Sequence, residues 1–146
     1  MHAAQMVEDY PVVDLDSDAL AAARLLAERR LPGLVVTDAS GCPQSVLPAS
    51  EVVQFLVPPY VQDDPSLAGV LNESMADRIA DKLGGRRVRE LLPKEPVELP
   101  RVAADDTVVE VAAVMARLRC PLVAVMEGRT LLGVVSASRL LELALH

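Results

Sequence analysis

Three residues near the end of the sequence have the types and the spacing of an anion-binding site. Gly133 carries no side chain, so a ligand could approach the backbone closely at this position. Ser136 follows an apolar β-branched pair and precedes good helix formers, so it lies where a helix begins and where free amides favour phosphate. Arg139 would add positive charge one helical turn later. The pattern predicts a phosphate site at a helix N-terminus; the alternative is an ordinary serine N-cap followed by a solvated arginine.

Other kinds of chemistry receive no support from the residues. The only histidines, His2 and His146, stand at the two ends of the sequence, and no Cys/His spacing matches a metal site. Neither a Gly-x-Ser-x-Gly nucleophile turn nor a glycine-rich phosphate loop is present. The carboxylates fall mostly on predicted helix caps and turns, where capping explains them. The sequence therefore predicts that the protein is not an enzyme, with no catalytic residue, no metal ligand and no required cofactor.

Composition and charge limit the class of partner. Hydrophobic residues make up 51% of the chain and aromatic residues only 2%, which favours a compact fold with an aliphatic core. The net charge of −7 argues against nucleic-acid binding, because neutralising phosphates needs a basic surface. Residues 1–85 hold 13 acidic and 5 basic side chains, whereas residues 86–146 hold 8 and 9. An anion site is therefore expected in the second half, where Arg101 becomes a further candidate for the same anion.

The expected location follows from what the sequence lacks. Its N-terminal stretch has neither the basic region nor the apolar region of a secretory signal, and no charge-free apolar run approaches the ~20 residues of a membrane span. Two cysteines, Cys42 and Cys120, fit a reducing compartment better than a disulfide framework. We therefore expect a soluble, cytoplasmic protein without membrane insertion, in which Cys120 is inert core.

A duplication positions the candidate residues. A shift of 88 residues aligns Ala137-Ser138 with Ala49-Ser50, and the alignment continues without a gap from Asp18 to Leu56 of the first copy. Each copy has the pattern of strand, helix, strand, strand, helix. The predicted elements are, in order, 10–13, 18–30, 34–36, 45–47 and 48–56 in the first copy, and 97–102, 107–118, 122–125, 131–135 and a helix from 137 in the second.

One predicted helix has no counterpart in the second copy. Asp64-Pro65-Ser66 is a strong helix start and Gly84-Gly85 is a strong stop, which predicts a single helix from Ser66 to Leu83. Its apolar positions recur every four residues, at Leu67, Leu71, Met75, Ile79 and Leu83. Such a stripe must be buried, either against the two copies or in a contact between subunits.

The order of elements, with Gly133-Val134-Val135-Ser136 leading into a helix, resembles the CBS domain. The segments 88–93, Val97-x-Leu99-Pro100 and Asp106-Thr107-Val108 look like the usual start of such a motif. This resemblance covers about residues 10–56 and 88–145. It implies an α/β fold of two CBS motifs in a pseudo-twofold pair with an inserted helix between them. The implied boundaries are 1–57 for the first motif, 58–87 for the inserted helix and linker, and 88–146 for the second motif.

The resemblance also implies a ligand. In this family, paired motifs often bind adenosyl compounds such as AMP, ADP, ATP or S-adenosylmethionine in clefts between motifs, and binding changes the activity of an attached or partner protein. The ligand motif of the family is Gly, two apolar residues, Thr or Ser, two residues, and Asp. Its hydroxyl usually meets phosphate and its aspartate usually holds the ribose.

The sequence departs from that motif in both copies. In the second copy Arg139 stands at the aspartate position, and arginine cannot accept a hydrogen bond from ribose. In the first copy Ser45 replaces the glycine and Pro48 replaces the hydroxyl residue, while Glu51 at the aspartate position could hold a ribose on a longer arm. The candidate ligand-binding residues are Gly133, Ser136, Arg139, Arg101 and Glu51.

Two functions are consistent with these features. The first is a regulatory or sensory CBS pair that binds an adenosyl compound as a regulatory ligand and modulates a separate effector protein. The alternative is a ligand-free dimerisation or interaction module whose nucleotide clefts have degenerated. A homodimer is expected in both, because an aliphatic chain with duplicated apolar helices leaves faces to cover and closed twofold assembly is common.

Overall fold

The computed structural model describes residues 1–70 and 74–146. The α-helices within these residues are α1 (Ala3–Met6), α2 (Ala19–Glu28), α3 (Ala49–Leu56), α4 (Pro59–Asp63), α5 (Met75–Leu83), α6 (Val88–Leu91), α7 (Val108–Leu118) and α8 (Ala137–Leu145). A 3-10 helix spans Pro65–Val70. The strands are β1 (Val12–Asp14), β2 (Gly33–Thr37), β3 (Pro43–Pro48), β4 (Val97–Glu98), β5 (Arg101–Ala103), β6 (Leu122–Glu127) and β7 (Thr130–Ser136). One sheet has the order β1-β2-β3-β4 and another the order β5-β6-β7.

The chain divides into two compact units built from interleaved segments. We call them the Ser136 unit, which contains Met1–Val12, Val35–Val46 and Val97–His146, and the Pro48 unit, which contains Val13–Leu34 and Leu47–Pro96. The second motif, β5-α7-β6-β7-α8, lies within the Ser136 unit, and the helices α2 and α3 of the first motif lie in the Pro48 unit. The boundaries 1–57, 58–87 and 88–146 follow the repeated motifs and remain a prediction.

Both motifs have the predicted order of elements, but the gapless offset of 88 is wrong for their first halves. Ala49 N–H donates to the Pro32 carbonyl and Ala137 N–H donates to the Pro121 carbonyl. The two alanines are 88 positions apart, whereas the two prolines are 89 apart. The first motif therefore has one extra residue between its second and third strands. There the Asp38 carboxylate accepts from the amides of Ser40 and Cys42 and holds a wider turn.

The first strand of the second motif, predicted over 97–102, is two strands in the structure. β4 pairs antiparallel with β3, and β5 pairs parallel with β6 in the other sheet. The division falls at Pro100, which has no N–H to donate to a ladder, while its carbonyl accepts from Ala124 N–H at 2.9 Å. Pro100 therefore ends the pairing of β4 with β3, and the chain after it pairs with β6 in the other sheet.

The inserted segment is not the single helix predicted from Ser66 to Leu83. The Asp64 carboxylate accepts from the amide and hydroxyl of Ser66, and a 3-10 helix follows. Ser74 then caps a separate helix, because its hydroxyl oxygen accepts from Asp77 N–H at 3.1 Å. Of the predicted apolar stripe, Leu83 is fully buried and Met75 is 56% exposed. Leu71 lies outside the described residues.

The sheet of the Ser136 unit is covered by apolar side chains on both faces. Val123 and Val125 of β6 belong to one buried cluster, and Leu122 and Ala124 belong to another. This alternation is the period of two that a strand imposes. Cys120 is buried in the second cluster, as predicted for an inert core residue.

Candidate functional site

Ser136 ends β7 and caps α8. Its backbone is extended, with φ −89° and ψ 157°, and its hydroxyl oxygen accepts from Arg139 N–H at 3.1 Å. This is the N-cap geometry that the sequence predicts. The same residue also donates twice: its amide N–H, at 3.2 Å, and its hydroxyl both donate to Oε1 of Glu8.

The Glu8 carboxylate therefore occupies the start of α8. Its backbone N–H donates to the Val134 carbonyl at 3.1 Å, which sets Glu8 beside the last residues of β7. A negative charge at this end of a helix interacts favourably with the free amides and with the helix dipole. The arrangement shows that the position predicted for an anion is filled by an anion of the chain itself.

Gly133 meets the residue before Glu8. A β-carbon added to Gly133 would lie 2.7 Å from Cβ of Val7, which is far inside van der Waals contact. Glycine is therefore required here because the N-terminal segment passes directly over β7. The close approach that the sequence predicts for a ligand is made by Val7.

Arg139 contacts the same segment. Its Nε donates to the Met6 carbonyl at 3.4 Å, and its Nη1 pairs with Glu142 at 2.9 Å. The side chain of Arg139 is 29% exposed. The structure thus brings Gly133, Ser136 and Arg139 together, each against one residue of 6–8.

The short helix α1 anchors this segment on the second motif. Ala3 N–H donates to the Asp106 carbonyl at 2.8 Å, and Ala4 N–H donates to the Ala104 carbonyl at 3.0 Å. Ala3 and Met6 are fully buried in the cluster that contains Val123 and Val125. The N-terminal segment is therefore an integral part of the Ser136 unit.

The other two candidate residues lie elsewhere. Arg101 is on β5, which is separated from β7 by β6, and its Nη2 donates to the Pro43 carbonyl. It lines a cleft of about 540 Å³ together with Glu98, Arg117 and Cys120. Glu51 is half-buried in the first turn of α3, in the Pro48 unit. Their roles in ligand binding remain predictions.

An apolar groove runs between the two helices of the second motif. Its volume is about 410 Å³, and its lining comes from α7, α8 and the turn between α7 and β6. The lining residues are Ala112, Met115, Ala116, Arg119, Cys120, Pro121, Ala137, Leu140 and Leu141. Leu141 is 56% exposed. This surface lies on different residues from the Glu8 contact.

In the Pro48 unit, exposed ion pairs join the start of α6 to Asp16. Asp16 Oδ1 accepts from Nη2 of Arg89 at 2.7 Å and pairs with Arg87 at 3.3 Å. The hydrogen bond from Arg89 holds the pKa of the Asp16 carboxyl below its ordinary value of 3.8. Likewise, the backbone N–H of Arg87 donates to Glu90 at 2.7 Å and lowers the pKa of that carboxyl.

Sequence reasoning missed Met6, Val7 and Glu8. A signal for them exists: His2, Ala3 and Met6 have the same spacing as Arg87, Val88 and Leu91, which belong to the start of the second CBS motif and form the cap and core contacts of α6. His2 N–H donates to Gln5 Oε1 at 2.8 Å, as Arg87 N–H donates to Glu90. The His2-x-x-Gln5 spacing is thus one half of a capping box, in which the side chain of the third helical residue accepts from the N-cap amide, and this half is visible in the sequence.

Comparison with known proteins gives consistent results. A family model of the CBS domain matches residues 88–146. No curated protein matches the sequence. A CBS domain-containing protein of unknown function from Kribbella flavida is 65% identical and superposes with a TM-score of 0.93, covering 100% of this chain and 99% of that one.

Two more distant structures share the fold. The CBS-domain protein ATU1752 from Agrobacterium tumefaciens is 21% identical with a TM-score of 0.60, covering 92% of this chain and 84% of that one. CBSX2, solved in complex with AMP, is 16% identical with a TM-score of 0.68, covering 99% and 96%. Within residues 1–70 and 74–146, no helix has the length and apolar composition that crossing a membrane requires.

Proposed function

The chain belongs to the CBS-domain family, and on this basis we propose that it is a regulatory CBS pair that binds a phosphate-bearing adenosyl ligand at Ser136. Ligand binding would change how the protein acts on a separate effector protein. CBS domains are regulatory, which supports the regulatory part of this proposal. The proposal concerns the ligand class, its position and the effector.

The observation that carries this proposal is the pair of hydrogen bonds that Ser136 donates to the Glu8 carboxylate. An amide N–H and a hydroxyl converge on one oxygen at the start of a nine-residue helix. Donors in this arrangement suit a phosphate oxygen as well as a carboxylate oxygen. Arg139, whose side chain is 29% exposed, lies one helical turn away and supports an anionic ligand.

The adenosyl class is supported by the family and limited by Arg139. CBSX2, which shares the fold, was solved with AMP. At the position where the family motif has an aspartate for the ribose, this chain has an arginine, so affinity should rest mainly on phosphate. The expected order is ATP or ADP above AMP, and AMP above adenosine.

Titration calorimetry and thermal shift with ATP, ADP, AMP, adenosine and S-adenosylmethionine test this function. A ligand that binds only the native state raises the melting temperature, by an amount that grows with its concentration. Arg139→Ala should weaken ATP binding. Tight binding of adenosine alone, or unchanged ATP binding by Arg139→Ala, would contradict the proposed mode.

The groove between α7 and α8 favours a second candidate function, a dimerisation or interaction module. Its walls are apolar, and Leu141 presents an aliphatic side chain that is more than half exposed. A second copy of the chain seated on the same groove would form a closed twofold dimer. Light scattering at micromolar concentration should then give a mass of about twice 15.6 kDa. Dimer formation without any nucleotide binding would favour this function over the first.

A further inference from the structure

We propose that the N-terminal segment Met1–Asp9 is an internal competitor for the Ser136 site, so that a regulatory ligand binds only when Glu8 leaves. This inference rests on the proposed function and adds its regulation. The segment belongs to the Ser136 unit, and its last residues lie on all three candidate residues of the second motif. The competition follows from hydrogen bonding, from packing and from the way the segment is anchored.

Glu8 uses the donors that a phosphate would need. The Ser136 amide has one hydrogen and its hydroxyl has one, and both point to Oε1 of Glu8. A phosphate oxygen cannot receive either hydrogen while the carboxylate holds them. Two negative groups at the same helix terminus would also repel each other. Occupation by Glu8 and occupation by phosphate therefore exclude each other.

Val7 closes the second approach to the site. Gly133 leaves the backbone of β7 uncovered, but the Val7 side chain already lies against that backbone. A ligand that approached Gly133 would have to move Val7, and Val7 is joined directly to Glu8. Displacement of the carboxylate and opening of the glycine surface are therefore one event.

Because α1 is anchored separately, only the last residues of the segment need to leave the site when Glu8 is displaced. α1 has only four residues, too few to be stable as an isolated helix, so its order depends on docking. Ala3 and Met6 are buried, and Ala3 N–H and Ala4 N–H are bonded to the loop before α7. The anchoring amides of Ala3 and Ala4 are five and four residues from Glu8, so in this proposal residues 7–9 leave the site while α1 stays docked. The ligand affinity then depends on the fraction of molecules in which Glu8 is released.

Calorimetric titration of Glu8→Gln with ATP, ADP, AMP and S-adenosylmethionine tests the competition. Glutamine keeps the size of the side chain but removes the charge that makes its hydrogen bonds strong, so the released fraction rises. We expect about tenfold tighter binding of the anionic ligand than by the wild type. The control is Glu127→Gln, which changes the net charge equally at the far end of β6 from the end that pairs with Ser136.

Hydrogen exchange supplies a second measurement. In the wild type, ligand should speed exchange of the Glu8 amide, which donates to Val134, and leave the Ala3 amide protected. Equal affinities for the wild type and Glu8→Gln would overturn the competition while leaving the proposed function intact. If neither the wild type nor Glu8→Gln binds any of these ligands, both the proposed function and the competition are overturned. Binding by Glu8→Gln but not by Glu127→Gln would support the competition strongly.

Discussion

The two motifs have equivalent helix pairs, but the grooves between the two helices differ in volume and in the elements that line them. In the first motif, the groove between α2 and α3 has a volume of about 230 Å³, and Ile79 and Leu83 of α5 form part of its wall. In the second motif, the groove of about 410 Å³ is lined by α7, α8 and the turn between α7 and β6, with no third helix among residues 1–70 and 74–146. The equivalent lining residues are Ala23 and Ala112, Leu26 and Met115, Ala27 and Ala116, Ala49 and Ala137, Val52 and Leu140, and Val53 and Leu141.

The difference shows that equivalent grooves of a duplicated fold can be lined differently. Because the equivalent walls are nearly identical in chemistry, the first groove indicates what the second one can accept, namely an amphipathic helix with aliphatic side chains. Among the residues that the structure describes, the inserted segment contributes to the lining of the first groove and not to that of the second. In the proposed dimer, a second copy of the chain covers the surface of the second motif.

The largest effect is expected where α5 closes the first groove. Leu83→Asp places a charge at a fully buried position, which should cost roughly 3–5 kcal/mol of unfolding free energy. Met75→Asp, on the same helix but 56% exposed, should change stability by less than about 0.5 kcal/mol. Urea denaturation measures both. Equal losses would mean that α5 is buried along its whole length, for example in a contact between subunits.

The next effect concerns assembly. If a second copy covers the groove of the second motif, Leu141→Asp should convert the dimer to a monomer, because the charge would be buried without a partner. Val53→Asp is the matched control, since Val53 occupies the equivalent position and is 55% exposed against 56% for Leu141. Light scattering should give a dimer for Val53→Asp. A wild-type monomer would reject the dimer, and a dimeric Leu141→Asp variant would place the interface elsewhere.

A smaller effect is expected at the third strand of each motif. Gly133→Ala forces a methyl group against Val7 and should cost about 1–3 kcal/mol. The first motif carries Ser45 at the equivalent position, which shows that the fold itself does not demand glycine there. Gly69→Ala is the control, because no atom of the described residues, apart from those of its two chain neighbours, lies within 4 Å of the added carbon. Thermal melts that show no loss for Gly133→Ala would mean that Val7 moves aside easily.

Most of the fold was predictable because its signals are local. The Thr107 and Glu110 capping box, the break at Pro32-Gly33 and the turn at Gly128 each act within a few residues, and all three elements are observed. The errors fell where two local signals competed. Ser74 offered a second cap inside the predicted inserted helix, and Pro100 divided one predicted strand between two sheets.

Of the candidate site, the residues of β7 and α8 were predictable from the sequence, whereas their contact with the N-terminal segment was not. Gly133, Ser136 and Arg139 lie within seven consecutive residues, so the strand and helix that carry them fix their proximity. Glu8 is 128 positions from Ser136, and no local pattern connects them. A tertiary contact of this length can be found from sequence only through a structural equivalent, here the match between residues 2–6 and residues 87–91.

That match leads to the smallest effect, which depends on pH. Arg87 and Arg89 begin α6 and pair with Asp16. The equivalent residues of α1 are His2 and Ala4, and the amides of Ala3 and Ala4 donate to the carbonyls on either side of Asp105. The pKa of Asp16 is lowered on folding, mainly by its hydrogen bond from Arg89, so the folded state favours the ionised carboxylate. Its stabilisation is therefore present above the ordinary pKa of 3.8 and is lost as the pH falls through the lower pKa of the folded state.

Asp16→Asn should accordingly lower the melting temperature slightly at pH 7, and the difference from wild type should shrink as the pH falls below the ordinary pKa of 3.8 and disappear below the lower pKa of the folded state. High salt should also reduce it, because both partners are exposed and their attraction is screened. Asp105→Asn provides the control at the equivalent position, which has no arginine of an adjoining helix to lose. Calorimetric melts of the three proteins at both pH values measure the effect. A loss for Asp16→Asn that persists in acid would mean that the neutral side chain, rather than its charge, positions α6.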